Sequence, residues 1–232
     1  MAMTTSITEP AGPDILVDSP ASTDYDRSSL AGDFLVAIEG QTEADFLERA
    51  PENQFCELID GVVYMPSPVA TEHQSDTGFL QFLLQGWGAE HPIGRVLTGP
   101  AVLRLANGRL LEPDIFVLPA DSESQVHPLY CDPPVLLVVE VLSPSNRAHD
   151  LVRKAAVYRE AGVPEVWFVD GENQLVIVER KTADGYETVQ QASGPLLCRS
   201  IPGFWIQVDW LWARPRPNVR VCLEAVLAGG PG

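Results

Sequence analysis

The chain has 232 residues, 45% of them hydrophobic, and a net charge of −17. That length and apolar content suit one domain with a full core. No apolar run reaches the length of a membrane span, and the N-terminus lacks the basic-then-apolar order of a secretory signal. The charge argues against a generic polyanion binder, since nucleic-acid affinity rests on neutralising phosphates. It is spread unevenly: residues 1–52 hold 11 acids and 2 arginines. The only lysines are Lys154 and Lys181, and the segment 141–159 carries one acid, Asp150, among Arg147, Arg153, Lys154 and Arg159. Cys56, Cys131, Cys198 and Cys222 form no CxxC. Buried, reduced thiols are expected, which fits a cytoplasmic protein.

Residues 1–30 are rich in Pro, Ser, Thr, Ala and Asp and read as a disordered acidic arm. A single domain is expected over 31–212, followed by a C-terminal tail over 213–232 with a short helix. Residues 41–49 read as a helix in which Thr42 and Asp45 make a capping box. Phe55–Ile59 and Val62–Met65 flank Asp60-Gly61, a two-residue hairpin signal. Pro66-Ser-Pro68 should break the second strand. Residues 71–90 have helical spacing, with Thr71 as N-cap and Phe79, Phe82, Leu83 and Trp87 on the apolar face. Gly94–Thr98 and Ala101–Leu105 read as strands, and Asn107-Gly108 as a turn into a strand over Arg109–Leu118.

After a polar loop at 119–134 comes Val135–Leu142, an apolar run broken only by Glu140. Such a run marks a central strand covered on both faces. Ser143–Asn146 is a loop, and His149–Ala161 a helix stopped by Gly162 and Pro164. Val166–Val169 is the next buried strand, and the β–α–β unit over 135–169 should cross over right-handedly to make a parallel pair. Leu175–Arg180 should pair as a hairpin, with further edge strands at 186–190 and 204–208. The fold expected is α/β, a mixed central sheet flanked by helices, plus N-terminal β-hairpins.

Two acids stand out at strand ends, Asp114 after Pro113 and Glu140 before Val-Leu-Ser-Pro-Ser145. Buried carboxylates need partners. On neighbouring strands they would meet at one sheet edge and could hold Mg²⁺, which takes one or two carboxylates plus water and phosphate. The alternative is that both bond loop amides or arginines. Asp150, Lys154 and Tyr158 recur every four residues and share a helix face. Lys154 could supply charge at a phosphate, or merely pair with Asp150 on the surface. Glu57 is a candidate third acid or an exposed strand residue. Glu112, two residues before Asp114, would share its face on a strand and is a candidate extra ligand. His73, in the first turn of its helix, could reach the site or simply face solvent. His91, His127 and His149 fit no zinc-ligand spacing, and no phosphate-cradling glycine loop is present.

Taken together, Glu57-Leu-Ile-Asp-Gly61, Pro113-Asp-Ile-Phe-Val117, Val138-Val-Glu-Val-Leu-Ser-Pro-Ser145, Asp150, Lys154, Tyr158, Gly162-Val163 and Glu165-Val-Trp-Phe-Val-Asp170 resemble the Uma-type restriction endonuclease family. These are bacterial proteins of the PD-(D/E)XK nuclease fold, and the resemblance covers about residues 35–210. It implies a restriction-endonuclease-like core and Mg²⁺-dependent DNA cleavage, with Mn²⁺ as a substitute. Asp114 and Glu140 match the two acids that hold the metal, and Glu57 the family's early acidic position. The lysine usually found two residues after the second acid is absent, since position 142 is Leu. In this family it is carried by the next helix, which points to Lys154. By analogy a homodimer is expected. An interaction module that keeps the fold without cleavage is the competing reading, favoured by the acidic surface.

Overall fold

A computed structural model of the chain describes residues 36–50, 54–66, 70–144 and 147–230. The arm expected over 1–30, the break at Ser67-Pro68 and the loop residues Ser145-Asn146 lie outside them.

The elements run in the order β1 (Val36–Glu39), α1 (Glu43–Arg49), β2 (Glu57–Ile59), β3 (Val62–Met65), α2 (Thr71–Glu90), β4 (Arg95–Thr98), β5 (Leu103–Leu105), β6 (Arg109–Leu111), β7 (Ile115–Leu118) and β8 (Leu137–Val141). A π-helical segment, His149–Lys154, then leads into α3 (Ala155–Glu160). After it come β9 (Glu165–Asp170), β10 (Leu175–Thr182), β11 (Gly185–Gln191), β12 (Pro195–Leu197), β13 (Trp205–Gln207), α4 (Asp209–Trp212) and α5 (Val219–Leu227).

The central sheet has the order β11-β10-β9-β8-β7-β4. Its β8–β9 pair is parallel, bridged by the π-helical segment and α3, and its other pairs are antiparallel. A five-stranded sheet, β1-β3-β2-β6-β5, packs beside it. The hairpin of β2 and β3 turns through Asp60 and Gly61, both at positive φ, the geometry of a two-residue turn.

Side chains alternate across β8. Leu137, Val139 and Val141 join Phe79, Leu83 and Trp87 of α2 on one face of the central sheet. Val138 faces the other way, toward Val157 and Tyr158 of α3. Glu140 shares that parity, so its carboxyl points at the π-helical segment rather than at α2. This alternation, fixed by the apolar pattern of β8, puts the acid where Lys154 can meet it.

Several expectations need correction. The strand expected over Arg109–Leu118 is two strands in two sheets, with β6 paired to β2 and β5, and β7 to β4 and β8. The chain changes sheet at Glu112-Pro113-Asp114, where proline has no N–H to give a ladder. Glu112 therefore does not share a strand face with Asp114. Ala70, not Thr71, caps α2, without a side-chain bond. Phe82 is 43% exposed, and Leu80 and Leu84 fill the core instead. The expected α-helix from His149 opens with a π-helical turn. β13 pairs with β12 rather than edging the main sheet. The short helix expected in the C-terminal tail is α5, and its Cys222 and Val226 lie in the core. The capping box of Thr42 and Asp45 is present as expected, and the four cysteines are free and buried.

Gly94 sits at φ +114°, and a Cβ there would overlap the Leu118 carbonyl. Gly94→Ala is expected to cost about 3 kcal/mol. Gly78, in α2, has open space around it, so Gly78→Ala should gain about 0.5–1 kcal/mol. Urea unfolding of the two variants should displace the midpoint in opposite directions.

Candidate active site

The site lies where the ends of β7 and β8, the strand β2 and the π-helical segment converge. Lys154 is 4% exposed. Its Nζ lies 2.6 Å from Glu140 Oε1, 2.8 Å from Glu57 Oε1 and 3.5 Å from Asp150 Oδ1. Tyr158 donates its hydroxyl to Glu140 Oε1 at 2.5 Å. Its hydroxyl is thus buried on the acid. His149 Nε2 lies 3.0 Å from Glu57 Oε2.

The π-helical turn makes this convergence possible. At 3.6 residues per turn, positions five apart point about 140° away from each other. The wider i→i+5 turn stacks them, and the Ala155 N–H donates to the Asp150 carbonyl five residues back. His149 and Lys154 therefore both reach Glu57.

Asp114 stands on the other side of Glu140. Its Oδ2 accepts the Val141 N–H at 2.7 Å and lies 3.1 Å from His73 Nε2. The amide bond was one alternative open for this acid, and His73 does reach the site. Glu112 accepts the Cys56 N–H at 3.1 Å and gives its own N–H to Glu57 Oε1 at 3.3 Å. The structure thus gathers Asp114, Glu140, Lys154, Glu57, His73 and Glu112 into one region. Glu57 and Glu112 stand on the lysine side, and Asp114 on the side of His73.

Charge is out of balance here. Burial works against the Lys154 ammonium, but Glu140, Glu57 and Asp150 hold its pKa well above the ordinary lysine value. Burial opposes ionisation of Glu57 too, yet Lys154 and His149 bring it down to about 2. Glu140 goes the other way. Burial pushes it up to about 7, with Lys154 opposing and the charges of Asp114 and Glu57 adding. Burial likewise lifts Glu112 to about 8, and holds Asp150 and Tyr158 well above their usual ranges. Burial pulls the His73 imidazole down, but the hydrogen bond and charge of Asp114 more than offset it, so its pKa is raised. One ammonium cannot keep this many buried carboxylates ionised, and protons make up the difference.

A cation suits the donors present. Asp114 Oδ1 and Glu140 Oε2 accept no hydrogen bond from the described residues. Each acid raises the other's local negative potential, as the effect of Asp114 on Glu140 shows. Among the described residues no three His, Cys, Asp or Glu side chains form a complete metal-binding group. A two-carboxylate site with water and phosphate completing the shell is the Mg²⁺ pattern.

Beside Asp114 a cleft of about 240 Å³ opens, lined by His73, Val141, Arg147, Asp170 and Arg214 among others. The two groups that hold Asp114, the His73 ring and the Val141 amide, belong to its wall. Arg147 pairs with Asp170 there.

His149 has no zinc-ligand spacing in the sequence and Asp150 reads there as a surface partner of Lys154, whereas the structure buries both, His149 against Glu57 and Asp150 beside Lys154. The pattern that could have found His149 is its i, i+5 relation to Lys154, which is a π-helical spacing.

The mixed α/β fold thus sets Asp114 and Glu140 at adjoining strand ends, with Lys154 on the crossover that follows β8. The model for a family described as "Uma2: Putative restriction endonuclease" matches residues 43–209, and the chain belongs to that family. The crystal structure of a "putative nuclease belonging to DUF820" from Anabaena variabilis is similar in fold, with a TM-score of 0.58 and 14% identity. The match covers 80% of this chain and 98% of that one. No curated protein matches the sequence. No helix among the described residues is long and apolar enough to cross a membrane.

Glu140 and Glu112 hold protons more tightly folded than unfolded, so they make stability fall as pH rises from 4.5 to about 7 and 8. Glu57 acts oppositely, its contribution present above 4.5 and lost as pH falls toward about 2. Glu112→Gln keeps an acceptor for the Cys56 N–H and removes the ionisation. It should gain about 1–2 kcal/mol over the parent at pH 8.5 and gain nothing at pH 5, read by urea unfolding at both pH values.

Proposed function

We propose that the protein is a Mg²⁺-dependent endonuclease that hydrolyses DNA phosphodiester bonds, with Mn²⁺ as a substitute metal. Family membership supports nuclease chemistry. The observation that carries the reading is the convergence of Asp114, Glu140 and Lys154, with Lys154 Nζ 2.6 Å from Glu140. Asp114 and Glu140 would hold the ion through the oxygens they leave without hydrogen bonds. A bound Mg²⁺ supplies positive charge at the phosphate and lowers the pKa of water.

The chain's own groups do the rest. His73 and the Val141 amide fix the Asp114 carboxylate, and Lys154 and Tyr158 fix that of Glu140. Glu57, kept ionised, holds Lys154 charged and in place. Negative charge builds on the phosphoryl oxygens as water adds to phosphorus, and Lys154, buried and already paired with Glu140, Glu57 and Asp150, acts on it through Glu140, which it holds in place. The phosphorus–oxygen bond to the leaving sugar then breaks, and the leaving oxygen takes a proton. The products are a phosphomonoester and a free hydroxyl.

Wild type should nick supercoiled plasmid with Mg²⁺ or Mn²⁺. Asp114→Ala and Glu140→Ala should each lower the rate by about 100-fold or more, with the far-UV circular dichroism unchanged. A folded wild type that neither cuts DNA nor binds Mg²⁺ would leave the interaction module as the better account.

A further inference from the structure

Arg49, Arg95, Arg104, Arg109, Arg147, Arg159, Arg180, Arg199, Arg216 and Arg220 form ion pairs with the protein's own carboxylates. Arg153 lies over the Tyr64 ring, and Arg214 donates to the carbonyls of Leu211 and Ala213. A double helix is held by cations that neutralise several phosphates at once. This surface, on a chain of net charge −17, offers few for that task.

The cleft beside Asp114 fits a different mode of engagement. At about 240 Å³ it falls below the usual range of small-molecule pockets. Its volume suits a single base of a strand. Drawing a nucleotide out of a duplex costs a few kcal/mol, and an unpaired strand does not incur that cost. Arg214, exposed at the cleft, makes no close ion pair among the described residues, although its charge reaches Glu72, which lines the same cleft. Arg147, on the cleft wall, gives only one guanidinium nitrogen to Asp170. Glu72 and Glu172 also line the cleft. Carboxylates repel phosphate but accept hydrogen bonds from the exocyclic amines of bases. The lining therefore suits a base inside and a phosphate at the arginine rim. His73, which holds Asp114, lines the same cleft.

We infer that the substrate is an unpaired DNA strand, one nucleotide of which enters this cleft with Arg214 and Arg147 receiving it. The inference rests on the nuclease reading for the chemistry, but not for the binding.

Binding is measured by fluorescence anisotropy of a short labelled DNA strand, alone and annealed to its complement. The full chain carrying Glu140→Gln is used in Ca²⁺, so that cutting is blocked. The unpaired strand should bind at least about tenfold more tightly than the duplex. Adding Arg214→Glu should weaken that binding by about tenfold or more at an unchanged thermal midpoint. Duplex bound as tightly as the single strand, or no effect of Arg214→Glu, would overturn the inference. So would tighter binding of an RNA strand of the same sequence. Wild type with Mg²⁺ is then given both DNA forms. Selective binding without any cleavage sinks the nuclease reading alone, and preferential cleavage of duplex sinks this inference alone.

Discussion

Lys154 brings one buried ammonium among Glu140, Glu57 and Asp150, at 2.6, 2.8 and 3.5 Å. Removing one partner of a buried ion pair leaves an uncompensated charge, the costly case in protein interiors. Here the imbalance is already present, because the acids outnumber the cation. The site resolves it unequally. Glu57, which also has His149, stays ionised, while burial makes Glu140 and Glu112 hold their protons far more tightly than ordinary carboxylates do. Such a group loses its proton when a stronger cation arrives, the usual coupling between metal binding and proton release.

The same contact joins parts of the fold that the chain lays down separately. Glu57 belongs to the five-stranded sheet, Glu140 to the central sheet, and Lys154 to the crossover between β8 and β9. Two local irregularities arrange the polar groups around them. One is the change of sheet at Pro113, which sends Glu112 to the Glu57 side and Asp114 to the Glu140 side. The other is the π-helical turn, which aligns His149 with Lys154. Both interrupt regular hydrogen bonding, and irregularities of the π kind are common at functional sites. The regular elements carry the core, and the interruptions aim the polar groups.

The regular elements were legible in the sequence for a plain reason: apolar period and turn chemistry are local. The capping box at Thr42, the Asp60-Gly61 turn, the long helix from residue 71 and the β8–helix–β9 crossover all follow from residues within a few positions of each other. Asp114 and Glu140 were legible because a lone acid in an apolar run is conspicuous. What escaped was non-local or irregular. Nothing near residue 112 says that the next strand joins a different sheet. Nothing at His149 shows that its partner, Glu57, lies 92 residues away. The helical spacing of Asp150, Lys154 and Tyr158 placed them on one face correctly, but not in the interior, since burial depends on what the sheets leave uncovered.

Charge separates two ways in which an acidic protein can handle a nucleic acid. Docking along a helix backbone needs many free cations, and here nearly all the described arginines brace the protein's own carboxylates. Taking a single unit into a cleft needs few, because base edges and stacking add contacts that do not depend on phosphate. The cleft wall already holds Asp114 through His73 and Val141. On the proposed reading, a strand in the cleft would touch the imidazole that positions Asp114, and recognition and chemistry would then share His73.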